Sequence, residues 1–352
     1  MDYVYFLLGF FILLFAISDL AYTTYSPFGA GKIANFITKG CWNTSLEICG
    51  NDGSKKILQV VGIFAIGLVI IVWFLLIWLG GSLIFCSDEY SIIHSQTGRP
   101  ASIAEKFYFT GFTLSTLGVG DFVPYTDGWR IFSVVFALGG FMLITTAISY
   151  MLPVLSADVF RKSIGRYITN LGSTPQEILK NHWQDGNFKS LEPHLTELMK
   201  MIILHNQQLL AYPILYCFHE SDHVKSTAIN LAKLDEALSI LLVQVPEGDR
   251  PNRRLVIPLR KAITDYLLTQ KEHFISYEDK EAGYSIPELG GLREAGIPLF
   301  PREDEVQDKY GKIKNRRRLI GSILRNEGWK IEDVYSERPP DDSDWRVDID
   351  DV

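Results

Sequence analysis

Three apolar runs divide this chain into a membrane part and a polar part. Ile57 to Phe85 is almost wholly apolar, broken only by Gln59, glycines and Ser82. As a helix it extends about 43 Å, more than the roughly 30 Å hydrocarbon core of a bilayer. The pattern predicts a span that tilts or protrudes. Ile131 to Leu155 is a second run without charge, and Tyr3 to Ile17 is a shorter one ending near Asp19. Beyond Ser156 the pattern changes. Apolar positions recur every three to four residues over 191–212, 224–245 and 255–274, which predicts amphipathic helices.

The chain has 352 residues and a net charge of −7, enough length for a membrane module and one further domain. The first run has Asp2 but no Lys or Arg before it, and no small-residue cleavage site after it, so it reads as a retained anchor. Lys32, Lys39, Lys55 and Lys56 follow the first span, and Arg161, Lys162 and Arg166 follow the third. The positive-inside rule puts residues 26–56 and the C-terminal half in the cytoplasm, with the N-terminus outside. Cys41 and Cys49 then read as reduced thiols. No span carries Arg or Lys at every third position, so a charged-helix voltage sensor is not expected.

Between the second and third spans stands Thr113-Leu-Ser-Thr-Leu-Gly-Val-Gly-Asp121. Gly118 and Gly120 can take backbone angles closed to other residues, letting consecutive carbonyls face one way. With the Thr116 hydroxyl they can replace an ion's hydration shell. The bland alternative is a loop whose glycines only pack helices, as small residues often do in membranes.

These residues resemble the two-helix pore of potassium channels. The resemblance covers 57–155: outer helix 57–85, pore helix 101–115 after a Gly98-Arg99-Pro100 turn, filter 116–121, inner helix 130–155. It implies a homotetramer, since one pore segment supplies a quarter of a filter. It implies a potassium-selective cation channel that passes ions passively along Thr116, Leu117, Gly118, Val119 and Gly120. Asp121 would ring the outer mouth, with Tyr108 beside it and Tyr108-Phe109 at the place of the family's aromatic cuff. Gly140, Ile144 and Ile148 read as one cavity-lining face. Gly140 is either a hinge or a packing residue, and Pro153 either a gate kink or neither. The departure is Val119, where most potassium channels carry Tyr or Phe. A weakly selective cation channel therefore stands as an alternative, and so does a non-conducting receptor or scaffold.

The remaining boundaries are a span at 1–25, a cytoplasmic loop at 26–56, a linker at 156–172, a helical domain at 173–275, a loop and basic helix at 276–336, and an acidic tail at 337–352. Ser173-Thr174-Pro175-Gln176-Glu177 is a good helix start. The stripe Val224, Leu231, Leu234, Leu238, Leu241 and Val245 reads as domain core. His219 and His223 stand four apart, which allows a metal pair on a helix, though solvated histidines are commoner. Gly290-Gly291 is not a convincing nucleotide fingerprint. The basic stretch from Lys309 to Arg325 reads as a solvated helix, with docking on anionic lipid as the alternative. No catalytic constellation is present, so an enzyme is not expected. Neither is a cofactor, a resident metal beyond permeating K+, or a nucleic-acid partner. Expected partners are further copies of the chain, membrane lipid and a cytoplasmic ligand of unknown kind. The fold class is an all-α membrane protein in the cell membrane.

Overall fold

The computed structural model describes residues 2–26, 29–275, 289–300 and 303–336. The acidic tail and part of the 276–336 segment lie outside the described residues. The chain forms two units. One contains residues 1–44, 60–158 and 209–218; the other contains 45–59, 159–208 and the chain from 219 onward.

The first unit holds α1 (Tyr3–Tyr25), most of α2 (Lys32–Ile48), α3 (Val61–Cys86), β1 (Ile92–His94), α4 (Ile103–Leu114), β2 (Phe122–Pro124) and the first part of α5 (Asp127–Leu171). Three helical stretches, Tyr3–Tyr25, Lys56–Cys86 and Asp127–Leu171, are long and apolar enough to cross a membrane. Glycines let α1 and α3 pack closely. A Cβ on Gly9 would lie 2.6 Å from the Gly80 carbonyl, and one on Gly80 would meet Leu13 at 2.9 Å.

Asp19 ties this packing to α2. Its Oδ2 accepts from Trp73 Nε1 at 2.9 Å, and its Oδ1 accepts from the Ile33 amide at 2.8 Å. The carboxylate thus caps a helix that follows its own. Residues 26–56 are therefore not a plain loop. The α2 seam of Ala34, Thr38, Trp42 and Leu46 is buried, but its small and polar members hide it from a hydropathy reading.

The segment 209–218 belongs to this same unit. Tyr212 packs edge-on against Tyr150 of α5, and Tyr216 against Trp42 of α2. Cys217 Sγ lies 3.1 Å from the Thr38 carbonyl. The four cysteines are free thiols.

The second unit contains the end of α5, followed by α6 (Pro175–Asn181), α7 (Glu192–Ala211, whose last residues belong to the first unit), α8 (Thr227–Gln244) and α9 (Arg253–Thr269). It continues with α10 (Gly290–Glu294), α11 (Glu303–Lys312) and α12 (Lys314–Asn326). The linker 156–172 continues the inner helix as far as Leu171. Thr174 caps α6 through the Glu177 amide, with Pro175 in the first turn, as the sequence predicts.

Helix α8 is buried on all sides, so its apolar stripe is only part of its packed surface. Its charges are paired inside the unit. Asp235 is held by Arg260 at 2.6 Å and by Arg316 at 2.5 Å, and Glu236 by Arg317. The basic stretch is therefore only partly solvated. Arg316 and Arg317 point inward, where they neutralise carboxylates buried on α8: Arg316 joins Arg260 on Asp235, and Arg317 pairs with Glu236.

His219 and His223 are not on a helix. His219 is buried, donates from Nε2 to the Gly53 carbonyl at 2.7 Å, and stacks on Trp329. No metal-binding cluster is present among the described residues.

Candidate ion-conduction site

The site begins at α4. Ser102 caps it with a reciprocal Ser102–Glu105 capping box. Arg99 clamps the same Glu105 carboxylate at 2.6 and 2.9 Å, holding its pKa down to about 2. The helix starts at Ile103 and ends at Leu114, two residues inside and one short of the predicted bounds.

An aromatic cluster fixes where α4 lies. Phe85 of α3 is fully buried, with ring centroids 5.2 Å from both Phe109 of α4 and Phe132 of α5. Trp78 Nε1 donates to the Phe107 carbonyl at 3.0 Å. Phe109 therefore faces α3 and not the 116–121 segment. Of the predicted aromatic pair only Tyr108 stands on the side of that segment, packed on Phe112 and Phe122, with its phenol interacting with the Asp121 carboxylate.

After Leu114 the chain turns back along α4. The Ser115 amide donates to the Gly111 carbonyl at 3.0 Å and the Leu117 amide to the Phe112 carbonyl at 2.8 Å. From there φ is positive at every second residue: 59° at Thr116, 59° at Gly118 and 87° at Gly120. Alternating left- and right-handed backbone turns successive carbonyls toward one side. Thr116 pays a steric cost in this region that the two glycines avoid. That strain was not legible from the glycine pattern.

The carbonyls of Thr116, Leu117, Gly118, Val119 and Gly120 accept no hydrogen bond among the described residues. The Leu117 and Val119 side chains are 71% and 50% exposed in the single chain.

The outer end is anchored. Asp121 Oδ1 accepts from the Phe122 amide at 3.0 Å, and its carbonyl accepts from the Ser95 amide at 2.9 Å. Antiparallel pairing of β1 with β2 joins the segment after the filter to the turn after α3, with His94 opposite Phe122. The sequence reading missed this short ladder; its three-residue strands are below the length at which alternation is readable.

On α5 the buried seam runs Ser133, Phe136, Gly140, Leu143, Ala147, Tyr150, Val154 and Ala157. Gly140 lies on it, where a Cβ would clash with the Leu114 carbonyl. Ile144 and Ile148 are exposed in the single chain. The three lie within about 80° on the helix, with Gly140 at the buried edge of that face and Ile144 and Ile148 turned progressively away from it. Pro153 is exposed, and α5 continues through it.

Residues 68–157 match the ion-channel family model described as "Ion channel". Over 326 residues the chain is 31% identical to the "Uncharacterized membrane protein YdjJ" of Bacillus subtilis (strain 168), covering 91% of this chain and 93% of that protein. No solved structure matches significantly. Most of α3, all of α4, the 116–121 segment and the first part of α5 lie within the matched residues, so the chain carries an ion-channel domain, and over nearly its whole length it belongs to the same family as the Bacillus subtilis membrane protein.

Proposed function

We propose that this chain is one subunit of a homotetrameric potassium channel in the cell membrane. The observation that carries the reading is the run of five carbonyls, Thr116 to Gly120, without a hydrogen-bond partner on a backbone of alternating hand. Unpaired backbone carbonyls are costly within a bilayer unless another group satisfies them. Four such runs around an axis would satisfy them with dehydrated cations. The Thr116 hydroxyl would add an inner ring of oxygens. The C-terminal end of α4 aims its negative dipole end toward the same axis, which favours a cation in the cavity.

Fourfold assembly also accounts for the apolar surface of the single chain. Leu117, Val119, Ile131, Val134, Leu138 and Phe141 are all exposed. Neighbouring subunits would cover the filter's back and the upper inner helix. Ile144 and Ile148 would then face the cavity or a neighbour, and four Asp121 carboxylates would concentrate cations at the mouth.

By the positive-inside rule the N-terminus lies outside and the C-terminal unit in the cytoplasm. Because α5 extends unbroken from Asp127 to Leu171, motion in the C-terminal unit can act on the inner helix directly. Gating by that unit is part of the proposal.

A second reading, weak selectivity, rests on Val119. Its isopropyl group cannot make the hydrogen bond that a tyrosine hydroxyl would make behind the filter. Potassium flux from proteoliposomes tests the channel reading, and Val119→Tyr tests the second. If the filter is loosely held, Val119→Tyr moves the reversal potential toward that of potassium. An unchanged potential removes the second reading, and absence of flux from both wild type and Val119→Tyr removes the first.

A further inference from the structure

Two histidines of the second unit meet where α6 gives way to α7. His182 closes α6, and His194 stands in the first turn of α7. The chain between them is tightly folded. Gln184 and Asn187 exchange backbone hydrogen bonds at 3.1 and 3.0 Å, and Trp183 packs on Phe188 with ring centroids 4.7 Å apart. Ser190 Oγ donates to the His182 carbonyl at 2.9 Å. These contacts hold the two imidazoles with centroids 5.3 Å apart and planes at 76°.

Each ring makes its hydrogen bond through Nδ1. His182 Nδ1 lies 2.8 Å from the Ile178 carbonyl, one of the last in α6. A carbonyl only accepts, so Nδ1 carries the proton and Nε2 keeps a lone pair. His194 Nδ1 lies 2.8 Å from the Tyr167 hydroxyl of α5, which can donate or accept. Neither Nε2 has a hydrogen-bond partner among the described residues, and each reaches solvent. Burial, and then His182, lower the His194 pKa from its ordinary 6.5, so this ring is neutral at pH 7.

A bound metal ion would use this arrangement. Imidazole nitrogen binds zinc at about 2.0–2.1 Å, and the ring centroid lies about 1.2 Å behind the nitrogen. Two rings at a tetrahedral angle of about 109° around one ion then stand about 5.2 Å apart, centroid to centroid. The 5.3 Å between His182 and His194 fits that spacing. Edge-on ring packing alone gives a similar separation. It does not account for the two Nδ1 bonds, which are the outer contacts that set a ligating histidine's tautomer and leave Nε2 for the metal. No third His, Cys, Asp or Glu completes the set among the described residues, so water fills the other positions.

We propose that His182 and His194 bind a divalent transition ion of the zinc class through Nε2, with the Ile178 carbonyl and the Tyr167 hydroxyl as outer-shell partners. Two protein ligands make an open, exchangeable site, unlike the four-ligand sites of structural zinc. Imidazole favours zinc, copper and nickel over magnesium and calcium, which prefer oxygen. The ion would tie the end of α6 to the start of α7 and, through Tyr167, to α5. The site is separate from the pore and does not depend on the channel reading.

Calorimetric titration of Zn2+ into the purified full-length protein in detergent tests this, in buffer with excess Mg2+. The expected result is a Zn2+ site in wild type that is lost in His182→Gln and in His194→Gln. Either histidine also packs, so Tyr167→Phe supplies the second test. It keeps both ligands, removes only the outer-shell hydroxyl, and should weaken Zn2+ binding ten- to hundredfold. His223→Gln, outside the pair, should bind as wild type does. Identical isotherms for wild type and the two His variants overturn the proposal, as does loss of the site in only one of them. Wild-type affinity in Tyr167→Phe overturns it as well.

Discussion

Adjacent glycines on α5 should respond oppositely to the same substitution. A Cβ on Gly140 would lie 2.8 Å from the Leu114 carbonyl carbon and 3.1 Å from Leu114 Cδ1, with the carbonyl oxygen nearer still. Ordinary contact begins at 3.4 Å, so the helix must withdraw by at least 0.6 Å from that carbon (3.4 − 2.8). Backbone cannot yield as a side chain can. Overpacking of this kind costs about 1–3 kcal/mol, while replacing glycine in a helix gains about 1 kcal/mol. The net expectation for Gly140→Ala is a loss of up to about 2 kcal/mol. A Cβ on Gly139 meets nothing within 4 Å in the protomer, so Gly139→Ala should keep the propensity gain.

The functional consequence differs as well. Leu114 immediately precedes the Ser115 turn into the 116–120 segment, so withdrawal of α5 disturbs the proposed conduction path itself. Thermal unfolding in detergent and single-channel conductance should both separate the two variants, with Gly140→Ala less stable and altered in conductance. Equal stability and unchanged conductance in both would refute the close-packing account and return Gly140 to a plain hinge.

Other outcomes follow from buried polar groups. Asp19→Ala strands two buried donors, Ile33 N and Trp73 Nε1, at a cost of about 2–4 kcal/mol; a melting temperature equal to wild type would contradict this. Asp235→Ala leaves Arg260 and Arg316 buried without their carboxylate, a loss of about 3–5 kcal/mol readable by denaturation of the second unit. Preserved stability there would mean the arginines relax to solvent. Burial raises the Glu327 carboxyl from 4.5 to about 7, against the pull of Arg161. The folded chain then holds a proton that the unfolded chain releases, so this group's stability contribution is full below about pH 4.5 and falls away as pH rises toward 7. Glu327→Gln should therefore gain on wild type progressively across that window. His219 works in the other direction, since burial lowers it to about 4 and its penalty grows as pH falls from 6.5. A Glu327→Gln advantage that is independent of pH would rule the titration out.

The spans and the positive-φ glycines of the 116–120 segment were legible because each rests on local sequence: uninterrupted apolar length, and glycines where the backbone reverses hand. Features that depend on a distant partner were not. The α2 seam uses Ala34 and Thr38, too small and too polar to register, and its cap is Asp19 on the previous helix. Phe109 and Tyr108 are neighbours in sequence, yet only the packing of Phe85 decides which of them faces the 116–121 segment. Arg316 and Arg317 looked solvated until Asp235 and Glu236 were seen to be buried on α8. The stripe on α8 was real but incomplete, because a central helix is covered on its polar side too. Thr116 at positive φ is a strained residue where sequence propensity gives no warning.

The central claim is that Thr116 to Gly120 form a selective path for potassium. Purified protein in planar bilayers with asymmetric potassium and sodium tests it through the reversal potential. The account predicts a value near the potassium equilibrium potential; a value near zero in a conducting protein would contradict it.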